Sequence, residues 1–265
     1  MTMQAPVINP PDPKKRSTRP EHAGMPSRPL NDFLSAMEHS LRESPGLHTG
    51  IILGCLLLSW WIYVPVHELL HALGCVISGG SVTRLDLSPV YGAVFLKKIF
   101  PFISPGSEYA GQLKGFDTSG SDLTYLITVF LPYTLTIFPG VLLLKTASAE
   151  AVSPLSGSIR LGISIPLAYA PFISLTGDYY EISSIVVSRL VPLASHGFSP
   201  LYWRSDDLIK LSQQLLFTGN APDLRDVAGL TVSFVLAIVL AFCTYAAGDA
   251  CSRILICSRG KKKPV

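Results

Sequence analysis

The sequence predicts an α-helical multi-pass membrane protein: about four transmembrane segments and a small β-hairpin after the first span. Three observations lead there. Of its 265 residues, 48% are hydrophobic and only 15% charged, with a mean hydropathy of +0.41; a soluble domain carries about a quarter charged residues. Apolar runs recur that match or exceed the roughly 20 residues a bilayer crossing requires. Finally, the polar string His67-Glu68-Leu69-Leu70-His71 lies inside the first of those runs.

Charge placement fits the same class. The formal net charge is +3, yet Lys14, Lys15, Arg16 and Arg19 crowd one end, and Arg259, Lys261, Lys262 and Lys263 crowd the other. A nucleic-acid reader needs a basic face on a folded domain. These clusters lie in tails beside apolar spans and read as cytoplasmic anchors against the lipid bilayer, so no nucleic-acid partner is expected. Cys55, Cys75, Cys243, Cys251 and Cys257 form no C-x-x-C pair, which argues against a disulfide framework or a thiolate metal site.

Taken in order, residues 1–29 are rich in proline and charge without apolar periodicity, so a disordered cytoplasmic tail is expected. No cleavable signal is expected, because the first long apolar run starts only near Leu47. Over 30–44, Leu30, Phe33, Leu34, Met37 and Leu41 recur at helical spacing, with Asn31 or Asp32 as a cap. An interfacial amphipathic helix is favoured there over one packed on the bundle. The membrane core is placed at 47–191. Its first span covers 47–78, kinked at Pro65 and stopped by Gly79-Gly80. The second covers 123–144, interrupted at Pro132 and Pro139. The third covers 159–191, broken by Pro166, Pro171 and Gly177. Between the first two, 82–87 and 90–96 around Ser88-Pro89 read as a surface hairpin. A loop follows at 192–226, with a short amphipathic stretch near Leu208–Phe217. A fourth transmembrane segment at 227–257 and a basic tail at 258–265 complete the chain.

His67 and His71 are four residues apart, so on a helix both imidazoles leave one face and can share a metal. Glu68 stands beside the first of them, where its carboxylate can take a proton from an attacking water. Placing such groups in hydrocarbon costs roughly 2.5–3.5 kcal/mol per charge even on the lenient insertion scale, so intramembrane polar clusters are functional by default. A hydrolytic Zn2+ takes three protein ligands and leaves one position open. The third ligand must come from elsewhere, and Asp178 is the leading candidate: a carboxylate in an apolar span, at a break where Gly177 permits close approach. Glu181, one turn on, is an alternative ligand or a partner behind the ligands. Asp249, in a second Gly-Asp pair, is the other rival. His196, His22, His39 and His48 are expected at the surface.

Orientation can be counted. With a cytoplasmic N-terminus, 13 of the 21 Lys and Arg fall inside and eight outside. That favours an integral protein of the cell membrane with both termini cytoplasmic. His67 then lies 20 residues into the first span from Leu47, and Asp178 lies 19 into the third from Ile159. The two would share a depth.

The Val66–Gly74 run, followed by a hairpin, a proline-interrupted helix and an Asp-bearing helix, resembles the site-2 protease family of intramembrane zinc metalloproteases. The resemblance covers roughly residues 50–190. It implies a three-helix catalytic core, His67, His71 and Asp178 as zinc ligands, Glu68 as catalytic base, and a membrane-anchored protein substrate. Two departures stand out. The family pattern Asn-Pro-x-x-x-Leu-Asp-Gly is replaced by Pro171 through Leu175, Gly177 and Asp178, and no asparagine occurs between Asn31 and Asn220. The Gly-Asp order is closer to small zincin-like peptidases of that group. Without the amide, Tyr133, Tyr169 and Tyr179 are the candidate donors to an oxyanion. The hairpin at 82–96 is the candidate holder of an unwound substrate strand. A non-proteolytic metal-binding membrane protein of scaffold or chaperone type and an ion-conducting protein are the competing classes.

Overall fold

A computed structural model describes residues 24–107, 109–190, 203–217 and 224–260. Most of the expected disordered tail, with His22, His196, part of the 192–226 loop and the last residues of the basic tail lie outside the described residues. Helix α1 (Arg28–Ser40) starts earlier than expected, because Pro29 suits a first turn whose N–H groups have no partner anyway. It packs on the bundle rather than standing apart. Phe33, Met37 and Leu41 lie against a core of Ile52, Val141, Leu144, Leu161 and Tyr245. Asp32, expected as a cap, instead accepts from Lys145 Nζ at 3.2 Å and Tyr245 Oη at 2.9 Å.

Helix α2 (Pro45–Ile77) runs on through Pro65 and ends where Gly79 takes φ +97°. The left-handed turn costs glycine nothing, as the sequence suggested. Leu57 and Leu58 are 71% and 61% exposed, as lipid-facing side chains would be. Two expected surface histidines are not there: His48 is buried with Nδ1 on the Ser40 carbonyl, and half-buried His39 meets the Val152 carbonyl at 2.9 Å. The turn between α1 and α2 folds one ring back under α1, and the 148–153 turn covers the other.

The expected hairpin does not form. Strand β1 (Ser81–Leu87) pairs in parallel with β2 (Ile103–Pro105) and antiparallel with β3 (Gly111–Asp117), in the order β2-β1-β3. The reason is local. Pro89 lacks the N–H a ladder needs, and Gly92 at φ +77° turns the chain into the single-turn helix α3 (Ala93–Leu96). Leu85, Leu87, Ala93 and Ile103 then pack on Val64 of α2, with Leu69 alongside, so the sheet sits level with the motif. Within it Arg84 donates to buried Asp86 at 2.6 Å and Lys114 lies 3.2 Å away; these cations hold the Asp86 carboxyl below its usual range.

The second span is α4 (Asp122–Phe130), a 3-10 turn at Leu131–Tyr133, a kink over Thr136–Gly140 where Phe138 is extended, and α5 (Val141–Ala147). The prolines interrupt it where expected. The third is no continuous span: α6 (Pro154–Ala168), the short α7 (Ala170–Ile173) and α8 (Asp178–Leu190) are separate pieces. Pro166 is absorbed inside α6, and the breaks fall at Tyr169 and over 174–177. Beyond them lie α9 (Leu208–Phe217) and the long α10 (Leu224–Gly260). Among the described residues, three helical stretches are long and apolar enough to cross a membrane: Pro45–Ile77, Asp122–Ala147 and Leu224–Ser258. The protein is a mostly helical membrane protein with a small three-stranded sheet. Tyr63, Tyr133, Ala170, Tyr179, Ala237 and Ala241 form the core where α2, the second span, α7, α8 and α10 meet.

Candidate metal centre

His67 and His71 leave one face of α2 as their spacing requires, and their Nε2 atoms stand 3.0 Å apart. Asp178, the first residue of α8, brings Oδ2 to 3.3 Å from His67 Nε2 and 3.4 Å from His71 Nε2. The three atoms form a near-equilateral triangle. Tetrahedral zinc with bonds of roughly 2.0–2.1 Å separates its ligand atoms by about 3.3 Å, so the donor set and its spacing fit that ion. It is the one such His/Cys/Asp/Glu group among the described residues.

What holds each ligand can be read off. Gly74 lets α4 press on α2, since a Cβ there would stand 2.8 Å from the Ile127 carbonyl oxygen. That approach brings the Thr128 carbonyl to 2.9 Å from His71 Nδ1. A carbonyl only accepts, so Nδ1 carries the proton and Nε2 presents its lone pair to the triangle. Tyr63 Oη lies 2.8 Å from His67 Nδ1, and Tyr133 Oη donates to Asp178 Oδ2 at 2.5 Å. Tyr133 is fully buried and packs edge-on against Tyr179 at 4.6 Å.

Glu68 is held differently. No described donor hydrogen-bonds its carboxylate, and it faces Gly111 of β3, where a Cβ would stand 2.7 Å from Glu68 Cδ. Glycine at 111 is what lets the sheet close over the motif without displacing that carboxylate. A cavity of about 330 Å³ opens beside the triangle, between α2, β3, α4 and α8. A second, of about 200 Å³, reaches His67 and Glu68 from the side of Tyr63, Tyr133 and Ser174.

Several expectations change. Asp249 is remote from the histidines, bound to Lys145, Arg253 and Arg28. It is not a ligand, because it lies within α10 where Arg28 of α1 and Lys145 of α5 meet it. Glu181 lines the larger cavity and accepts from Tyr125 Oη, outside the triangle. Tyr169 donates to the Pro29 carbonyl and Tyr179 to Thr244, so neither points at the site. Nor is Gly177 sterically required: a Cβ there would meet nothing closer than 3.5 Å.

Other residues went unnoticed. Tyr63 had a signal, sitting one more step of four before His67 on the ligand face. Gly111, Thr128 and Tyr125 had none in the sequence. The segment expected as a loop supplies Asp206, Asp207 and Lys210 to the cavity wall, and Gln112 Nε2 of β3 donates to Asp206 at 3.2 Å. No protein-family model, curated protein or solved structure matches this chain.

Proposed function

We propose that this chain is an intramembrane zinc metalloprotease of the site-2 protease kind, hydrolysing peptide bonds of membrane-anchored protein substrates. The observation that carries the reading is the triangle of His67, His71 and Asp178 at metal-ligand spacing, with an unengaged Glu68 carboxylate beside it in a cavity. His67, His71 and Asp178 would hold the ion. When bound there, zinc supplies Lewis acidity that activates water near neutral pH and polarises a carbonyl.

The chain's own groups do the rest. Glu68 accepts the proton of the attacking water and passes it to the leaving amine, a role open to it because no described donor occupies its oxygens. The Thr128 carbonyl fixes the tautomer of His71, and Tyr133 orients Asp178 through its hydroxyl. Ligation through Nε2 leaves a proton on His67 Nδ1, so Tyr63 Oη accepts there and its own proton is free for the substrate carbonyl oxygen. Tyr63 thus stands in for the missing asparagine. The edge of β3, not the hairpin first expected, is the candidate holder of an unwound strand, since Gly111, Gln112 and Leu113 line the cavity.

In this reading α6, α7 and α8 together make an interrupted third crossing. That gives four spans in the cell membrane, with both termini cytoplasmic. Cysteine labelling at Ser107 and Ser205, with the native cysteines removed, is expected to react from the outside; cytoplasmic reaction at both would reverse the orientation. The central test is purified protein assayed for zinc and for cleavage of a transmembrane peptide. About one zinc per chain with cleavage supports the protease. Zinc without cleavage would favour a metal-binding scaffold, and ion flux into vesicles without cleavage would favour a conducting protein.

A further inference from the structure

At the end of the bundle where α5 passes into α6 lies another cavity, of about 360 Å³. Phe138, Leu142, Leu143, Leu255 and Ile256 make its walls, and Thr146 and Arg160 are its polar members. Thr146 returns its hydroxyl to the carbonyls of Leu142 and Leu143, so it has little to offer a ligand. Arg160 is different. Its Nη1 donates to the Thr146 carbonyl at 3.3 Å, and no carboxylate pairs with it among the described residues. A guanidinium has five N–H donors in a planar fork, so most of its capacity faces an apolar groove.

The nearby acids are already committed. Asp32 and Asp249 together hold three cations, Arg28, Lys145 and Arg253. Glu150, in the turn between α5 and α6, is exposed and forms no ion pair among the described residues. In the sequence, Leu255 and Ile256 are bracketed by Arg253, Arg259 and Lys261–Lys263, with no acidic residue from 250 to the end. This end of the bundle is short of negative charge, and its groove is apolar.

We propose that the groove binds an anionic phospholipid, with the phosphate on Arg160 and one acyl chain along Phe138, Leu142 and Leu143. Arginine's fork matches phosphate oxygens two at a time. An isolated arginine at a lipid-facing surface is stable only with a partner or a headgroup within reach. The apolar walls select the chain, and the net positive charge selects an anionic headgroup over a zwitterionic one. A free phosphate would satisfy the arginine and leave the walls bare, so the lipid is the occupant. The inference is independent of catalysis at the metal centre.

The test uses the full chain, purified in detergent and delipidated, then exposed to mixed micelles of phosphatidylglycerol and phosphatidylcholine. Lipids retained after dilution are counted by native mass spectrometry. The wild type is expected to retain phosphatidylglycerol over phosphatidylcholine by about fivefold, the scale of one basic side chain at a membrane surface. Arg160→Gln is expected to bring the ratio near unity and Arg160→Lys to keep much of it. Leu143→Trp, which fills the groove, is expected to lower retention of both lipids. Inorganic phosphate at millimolar concentration is expected not to displace the lipid; displacement would assign the site to a free anion and overturn the proposal. Equal retention of both lipids by the wild type would also overturn it. So would a preference that survives Arg160→Gln and disappears when Lys261, Lys262 and Lys263 are neutralised, because the tail alone would then be responsible.

Discussion

Two Gly-Asp pairs sit in apolar stretches of this chain, and the fold uses them in opposite ways. Gly177-Asp178 opens α8 beside two histidines, with the aspartate side chain 22% exposed to a cavity. Gly248-Asp249 lies near the end of α10, its aspartate only 2% exposed and bound to Lys145, Arg28 and Arg253. The glycines differ as well. A Cβ at Gly248 would stand 2.7 Å from Val141 Cγ2 and 3.1 Å from the Thr136 carbonyl, whereas Gly177 has room for one. The second pair is a packing joint neutralised by cations, which ties α1, α5 and α10 together. The first has no Lys or Arg beside it among the described residues, only the Tyr133 hydroxyl and the two imidazoles. The lack of a fixed cationic partner is what makes Asp178, and not Asp249, the candidate ligand of the proposed centre.

The comparison can be broken in several places. The sharpest is on the open side: Glu68→Gln is expected to lower turnover by roughly 10²–10⁴-fold while zinc per chain stays as in the wild type. A Glu68→Gln protein that still cleaves would sink the protease reading. Exchanging the two aspartates comes next. Asp249→Asn should destabilise the protein by about 1.5–3 kcal/mol, because it removes the buried acceptor shared by Lys145, Arg28 and Arg253, and should keep its zinc. Asp178→Asn should lose zinc and unfold at nearly the midpoint of the metal-free wild type. Denaturant titration in micelles with metal analysis reads both, and zinc loss from Asp249→Asn would erase the distinction.

A smaller effect separates the glycines. Gly248→Ala should cost about 1–3 kcal/mol by overpacking, and Gly177→Ala no more than about 0.5 kcal/mol. Equal costs would show that the second pair is no tighter than the first. Tyr63→Phe is expected to weaken zinc binding by about tenfold through loss of the acceptor behind His67, and to lower turnover through loss of the proposed donor to the carbonyl oxygen. Competition with a chelator measures it, and an unchanged affinity would remove Tyr63 from the site.

Helical periodicity made the first part of the site legible: the face of α2 carrying His67 and His71 follows from a spacing of four. The same spacing places Tyr63, one step further back, on that face. Proline and glycine positions located the end of α2 and the breaks in the second span. They did not reveal that α6 to α8 are separate pieces, because a proline can either end a helix or be absorbed within it, as Pro166 is. The hairpin failed for a related reason. Residues 90–96 are apolar enough for a strand, but Pro89 and Gly92 on either side turn them into helix, and the partner of β1 lay beyond them at Gly111–Asp117.

The sequence by itself determined the class of molecule and the local chemistry. Hydropathy over lengths of about 20 residues and the i, i+4 geometry of one helix are properties of neighbouring residues, and neighbours are what a sequence records. Only the tertiary structure decided which aspartate joins the histidines and which carbonyl fixes the proton of His71. It also decided that Gly111 and the segment around Asp206 wall the cavity. Those are pairings between residues 40 to 110 apart in the chain or more, set by how α4, β3 and α8 pack on α2, and packing is a property of several surfaces at once.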